Sequence, residues 1–131
     1  MSPSKILVVD DDPLILRLLI AWLKKIRPYD NIIAATTCKT ALMLLASENF
    51  SYVISDYNLP DGTGKSILCN SSPNSIRIGI SGSHQDKDFE SCCDQFLSKP
   101  FGFAEIKSLF DAQVHEITIS NESFQKDNFS Q

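Results

Sequence analysis

A chain of 131 residues, 43% of them apolar, is enough for one domain with a real core and too short for that domain plus a DNA-binding module. Its net charge of -4 and its lack of a Lys/Arg cluster argue against a nucleic-acid surface, because neutralising phosphates takes a basic patch. The longest apolar candidate, 14–26, is interrupted by Arg17, Lys24 and Lys25, and no positively led apolar segment opens the chain, so no membrane span and a cytoplasmic location are expected.

The first apolar run predicts a strand over 5–9 that closes on Asp10, Asp11 and Asp12. Asp12 with Pro13 reads as a helix start, since Asp caps free N–H groups and Pro fits the first turn; the third acid is thus a cap rather than a ligand. The helix covers 13–26, ends before Pro28, and carries Ile15, Leu18, Leu19, Trp22, Leu23 and Ile26 on one stripe expected to face a sheet. Leu14, Leu16 and Ile20 fall outside that stripe. A strand at 31–35 and a helix at 38–47, with Ala41, Leu42, Leu44 and Leu45 as its apolar face, precede a strand at 52–55 that delivers Asp56. A helix at 64–70 is stopped early by Asn70-Ser71-Ser72-Pro73-Asn74. A strand at 76–80 ends at Ser81, a helix covers 84–93, and a strand at 95–97 ends at Lys99-Pro100. The last helix, 102–116, carries Phe103, Ile106, Phe110 and Val114, and beyond it the periodicity is lost. A domain over 1–116 and a polar tail or linker over 117–131 follow.

Alternating strands and helices predict an α/β fold, a doubly wound five-stranded parallel sheet with helices on both faces. In such a sheet the carboxyl ends of the strands form the ligand crevice, so Asp10, Asp11 and Asp56 converge if their strands are neighbours. Hard oxygen ligands in a cleft suit Mg²⁺, which prefers carboxylates, waters and phosphate oxygens. Ser81 and Lys99 would bring a hydroxyl and an ammonium to the same edge. Taken singly, these residues read as a helix cap, a turn former and a solvated lysine; their shared place at strand ends makes a site.

The stretches ILVVDDDP, SYVISDYNLPDGTG, IGISGS and FLSKPF, in this order, resemble the receiver domain of two-component response regulators over roughly residues 5–116. The resemblance implies a flavodoxin-like receiver fold in which Asp10 and Asp11 hold Mg²⁺ and Asp56 is the phosphoacceptor. It makes Ser81 the switch hydroxyl, Lys99 the partner of the phosphoryl oxygens, and Phe96 an aromatic switch residue. The backbone carbonyl of Asn58 would complete the metal site, while the side chains of Asn58 and Ser83 would set the rate of phosphate hydrolysis. The implied partners are a histidine kinase or histidine phosphotransfer protein and a downstream protein. The donor domain would meet the first helix, where Leu14, Leu16 and Ile20 offer an apolar docking patch. The segments from Asp56 to Ser81 and from Ser81 to Lys99 are each shorter than is usual in receivers by about one turn of 3.6 residues, so the third and fourth helices should be short. A short fourth helix weighs against the family's usual output face around the fourth helix, fifth strand and fifth helix.

The chain would then not be an enzyme beyond gaining and losing its own phosphoryl group. The alternative is a receiver-like adaptor that binds partners whether or not it is phosphorylated. A metal-dependent phosphohydrolase would need an acid where Asn58 stands, and Gly62-Thr63-Gly64-Lys65-Ser66 is not a P-loop because Leu59 occupies the position of its first glycine. Cys38, Cys69, Cys92 and Cys93 fit neither a zinc site nor a secreted disulfide framework and are expected to be reduced packing residues, and His84 and His115 to be surface residues.

Overall fold

The computed structural model describes residues 4–82 and 87–111. The chain divides into two compact units, Met1–Phe101 and Gly102–Gln131. In the first, β1 (Lys5–Val9), β2 (Asn31–Ala35), β3 (Tyr52–Asp56), β6 (Ile76–Ser81) and β7 (Gln95–Ser98) form a parallel sheet in the order β2-β1-β3-β6-β7. Two further pairs, β4 (Asn58–Leu59) and β5 (Gly62–Thr63), make a small antiparallel ribbon.

Helix α1 (Pro13–Ile26) begins as expected: the Asp12 carboxylate accepts from the Leu14 amide at 2.9 Å, with Pro13 in the first turn. It packs on β1 and β2. The helices α2 (Cys38–Ser47), α3 (Gly64–Cys69) and α4 (Lys87–Ser91) form the other layer, α3 touching both α2 and α4. Side chains alternate across each strand. Leu7, Val9 and Val53 therefore join Ala41, Ile67, Leu68 and Phe89 in one core cluster beneath α2, α3 and α4, while the buried Ile6, Val8 and Ile54 point to the opposite face.

Helix α3 has only six residues, as the short spacing predicts, and α4 is described over Lys87–Ser91. The end of α3 is chemical: Asn70 Nδ2 donates to the Ser66 carbonyl at 2.6 Å and Ser71 Oγ to the Ile67 carbonyl at 2.8 Å, so side chains take up carbonyls that a further turn would have used. In the second unit, residues 103–111 are helical, with Ile106 and Phe110 buried. Val114, His84, His115 and the tail over 117–131 lie outside the described residues.

Two expectations are corrected. Of the α1 stripe, only Leu19 and Leu23 are fully buried, and Leu18 is 42% exposed. Successive helical residues are turned by about 100°, so a six-residue stripe is too wide for one sheet contact, and Ile15, Leu18 and Trp22 face a cleft instead. The cysteines are not all reduced: Cys69, closing α3, and Cys92, just past α4, form a disulfide, while Cys38 and Cys93 are free. A cross-link over a separation of 23 residues restricts the unfolded chain, an effect of about 3 kcal/mol.

Candidate phosphoacceptor and metal site

The strand order reverses around β1, which lies between β2 and β3, and the crevice of an open α/β sheet forms at such a switch point. The register brings Val9 beside Ser55 and Asp56 beside Ile80, and aligns Ser81 with Ser98. The residues that follow, Asp10 and Lys99, therefore reach the same edge as Asp56 and Ser81, and the Lys99 amide donates to the Ser81 carbonyl at 2.8 Å.

One carboxylate oxygen each from Asp10, Asp11 and Asp56 lies within 4.8 Å of the other two. Asp10 and Asp56 are buried and Asp11 is exposed. The Lys99 ammonium stands 3.1 Å from Asp56 Oδ1 and 3.7 Å from Asp10 Oδ2. Asp10 Oδ1 accepts from the Asp12 amide at 2.9 Å, whereas Asp10 Oδ2 is buried with no hydrogen-bond partner. Burial pushes both Asp10 and Asp56 above the ordinary carboxylate value. The Asp12 amide opposes the shift at Asp10 and the Lys99 ammonium opposes it at Asp56, while the Asp56 charge raises Asp10 further. One ammonium thus faces two buried carboxylates and an exposed third. An orphaned carboxylate oxygen beside two other hard oxygen donors fits a divalent cation such as Mg²⁺.

Ser81 is buried at the end of β6. Asn58 opens the ribbon, exposed, two residues after Asp56, and Ser83 lies outside the described residues. Phe96 is 36% exposed on β7 and meets Phe89 edge-on, with ring centroids 6.0 Å apart. Phe89 in turn meets Tyr57, the residue after Asp56, at 4.9 Å. This chain of three rings, from the acid's neighbour across α4 to β7, was not read from the sequence, since Tyr57 and Phe89 carry no local pattern.

Two further residues hold the loop after Asp56. Gly64 gives α3 its close approach: its amide donates to the Tyr57 carbonyl at 2.8 Å, and any Cβ there would collide with the Asp56 carbonyl. The Asp61 carboxylate accepts from the amides of Cys38 and Lys39 at 2.7 and 3.0 Å, so it ties the loop to the start of α2. This role did not show in the sequence, because the partners of Asp61 lie more than 20 residues away.

Of the proposed docking residues, Leu14 is 63% exposed, and Leu16 and Ile20 are half-buried. Beside them, a cleft of about 580 Å³ is lined by Ile15, Leu18, Trp22, Pro100, Phe101 and the stem of Lys99. Trp22 and Phe101 meet edge-on across it at 6.3 Å. No described helix is long and apolar enough to cross a membrane.

The sequence model of the response regulator receiver domain matches residues 6–111. Among solved structures, the chain is similar to a CheY-like receiver domain protein from Methanospirillum hungatei JF-1, with 24% identity and a TM-score of 0.78, covering 88% of this chain and 96% of that one. A signal receiver domain of an HD domain-containing protein from Pseudomonas fluorescens Pf-5 is 24% identical with a TM-score of 0.74, covering 93% of this chain and 94% of that one. The BeF3-activated receiver domain of DrrB is 25% identical with a TM-score of 0.73, covering 86% and 98%. No curated protein matches.

Proposed function

The chain belongs to the response regulator receiver domain family, and on that premise we propose that Asp56 accepts a phosphoryl group from the phosphohistidine of a histidine kinase or phosphotransfer protein. The observation that carries this reading is the pairing of Asp56 with Lys99 at 3.1 Å, inside a cluster of three carboxylates at the sheet's switch point. Asp10, Asp11, Asp56 and the Asn58 carbonyl would hold Mg²⁺, which when bound supplies positive charge against the incoming phosphoryl oxygens. An Asp56 carboxylate oxygen attacks phosphorus, the bond from phosphorus to the donor imidazole nitrogen breaks, and that nitrogen leaves with the electron pair. Lys99 exchanges the Asp56 oxygen for a phosphoryl oxygen, and the Ser81 hydroxyl donates to another. Burial of Asp56 limits water at the new acyl phosphate.

The chemistry of the chain is confined to gaining and losing this one group. Its output is protein contact, with Phe96 moving in step with Ser81 and with Asn58 and Ser83 setting the lifetime of the phosphate; a cytoplasmic setting suits such a donor. No feature of the site favours the constitutive adaptor over this reading. The test is intact mass after incubation with Mg²⁺ and acetyl phosphate. We expect one phosphoryl adduct in the wild type, none in Asp56→Asn and none without Mg²⁺. Folded, Mg²⁺-binding protein that gains no adduct from acetyl phosphate or from a phosphohistidine donor would overturn it.

A further inference from the structure

The Cys69–Cys92 bond joins the end of α3 to the residue just past α4. The described part of α4, Lys87–Ser91, has five residues, and even the 84–93 expected from the sequence is shorter than the roughly 12–15 needed for an isolated helix to persist in water, so its place depends on tertiary ties. Those ties are few. At one end Lys65 of α3 pairs with Asp88 of α4 at 3.1 Å, but both side chains are largely in solvent, where such pairs contribute little. At the other end stands the disulfide. Between them Phe89 is buried against Tyr57 and Phe96.

What α4 rests on connects it to the site. Gly79, two residues before Ser81 on β6, has no room for a Cβ because the Phe89 ring and Cys93 Sγ press on its backbone. Helix α4 thus bears on the strand that carries Ser81 and, through Phe89, on rings that flank Asp56 and extend to Phe96. The bond that pins α4 is also reachable, since Cys69 is exposed and Cys92 half-buried. Accessible disulfides are the ones that exchange readily with thiols. Cys93, by contrast, is bonded to the Phe89 carbonyl at 3.1 Å and burial pushes its thiol up to about 11, which leaves it a poor nucleophile.

We propose that Cys69 and Cys92 form a reversible thiol–disulfide exchange site for low-molecular-weight thiols and disulfides, and that its state sets the freedom of α4 and of the Tyr57–Phe89–Phe96 ring chain. A thiolate of the small thiol attacks the exposed Cys69 sulfur, the sulfur–sulfur bond breaks, and Cys92 leaves as a thiolate that takes a proton. A second thiolate attacks the small-molecule sulfur now on Cys69, which releases the small disulfide and the Cys69 thiolate. In sum, two small thiols supply two electrons, one small disulfide forms, and the chain gains two thiols; the small disulfide drives the reverse. That this state then tunes phosphorylation rests on the phosphoacceptor reading above.

The test equilibrates the full chain with reduced glutathione or with glutathione disulfide. Each sample is divided between denaturing alkylation with intact-mass readout and amide hydrogen exchange under native conditions. We expect two alkyl groups on the oxidised chain, at Cys38 and Cys93, and four on the reduced one, interconverting in both directions. We also expect faster exchange over 87–98 in the reduced chain, with β1 unchanged. The Cys69→Ser and Cys92→Ser variants should exchange over 87–98 as fast as the reduced wild type in both buffers and take three alkyl groups after reduced glutathione. An alkyl count that ignores the buffer, or exchange rates over 87–98 that are equal in the two states, would overturn the proposal. With Mg²⁺ and acetyl phosphate added, the reduced form should reach half-phosphorylation at a several-fold different donor concentration from the oxidised form. Adduct formation in neither state would sink the phosphoacceptor reading and leave the thiol and exchange results standing on their own.

Discussion

The two sides of the sheet are held by different means. On the β1–β2 side, α1 with fourteen residues and α2 with ten carry their own side-chain caps, from Asp12 and Thr37, and α1 buries Leu19 and Leu23 completely. On the β6–β7 side, α3 with six residues buries Ile67 and Leu68 but has no side-chain cap, and the described part of α4 is held by a disulfide, an exposed ion pair and the buried ring of Phe89. Under the proposed function, the first side supplies Asp10 and Asp11, which a metal ion would need held still. Under the same reading, the second supplies Ser81 and Phe96, which a switch would need free to move. Segments with few independent ties are the ones that open locally at low cost, so the division of stability follows the division of labour.

The largest expected effect comes from removing the centre of the weaker side. Phe89→Ala should cost about 3–5 kcal/mol, read by urea unfolding, with loss of hydrogen-exchange protection concentrated over 87–98. Equal loss along β1 would break the comparison, because the two sides would then be one cooperative unit. A smaller effect is expected on the other side. Asp12→Ala removes the α1 cap and should cost about 1 kcal/mol while leaving the protection of β7 untouched. The smallest concerns pH and the tie between the site loop and α2. Amides of Cys38 and Lys39 hold the Asp61 carboxyl below its ordinary value of 3.8. A depressed folded-state value means that folding favours the charged form. The contribution is therefore present above 3.8 and is lost as pH falls through the folded value. Stability of the wild type minus that of Asp61→Asn should be greatest at neutral pH and close in acid; a difference unmoved by pH would show that charge plays no part in the tie.

Much of the site was legible because its logic is local. A strand ends where its apolar run ends, and in a parallel sheet all such ends share one edge, so Asp10, Asp56, Ser81 and Lys99 could be grouped without knowing a single distance. Asp12 was legible as a cap for the same reason, since its partner, the Leu14 amide, is two residues away. The short α3 followed from spacing and from the Asn70-Ser71-Ser72-Pro73 stop. What stayed hidden is non-local. Cys69 and Cys92 become partners only when α3 and α4 lie side by side, and Asp61 finds its amides only when the loop crosses to α2. The exposure of Leu18 depends on how wide a strip of α1 the sheet covers, which periodicity does not report. The ring chain through Phe89 was hidden because an aromatic in a short polar helix looks like an ordinary core anchor.

The strand order also bears on how copies of the chain behave toward each other. With β2 and β7 outermost, the sheet has two edges among the described strands, and unpaired backbone groups on an edge are templates for adding a foreign strand. At β7 the run is four residues long and is followed at once by Lys99 and Pro100. A proline has no N–H to offer an incoming strand, and a charged neighbour disfavours a dry contact. The dipeptide that sets an ammonium beside Asp56 therefore also blunts this edge against aggregation. Replacing Pro100 would expose more of that edge, so solubility and the geometry of the site share one position.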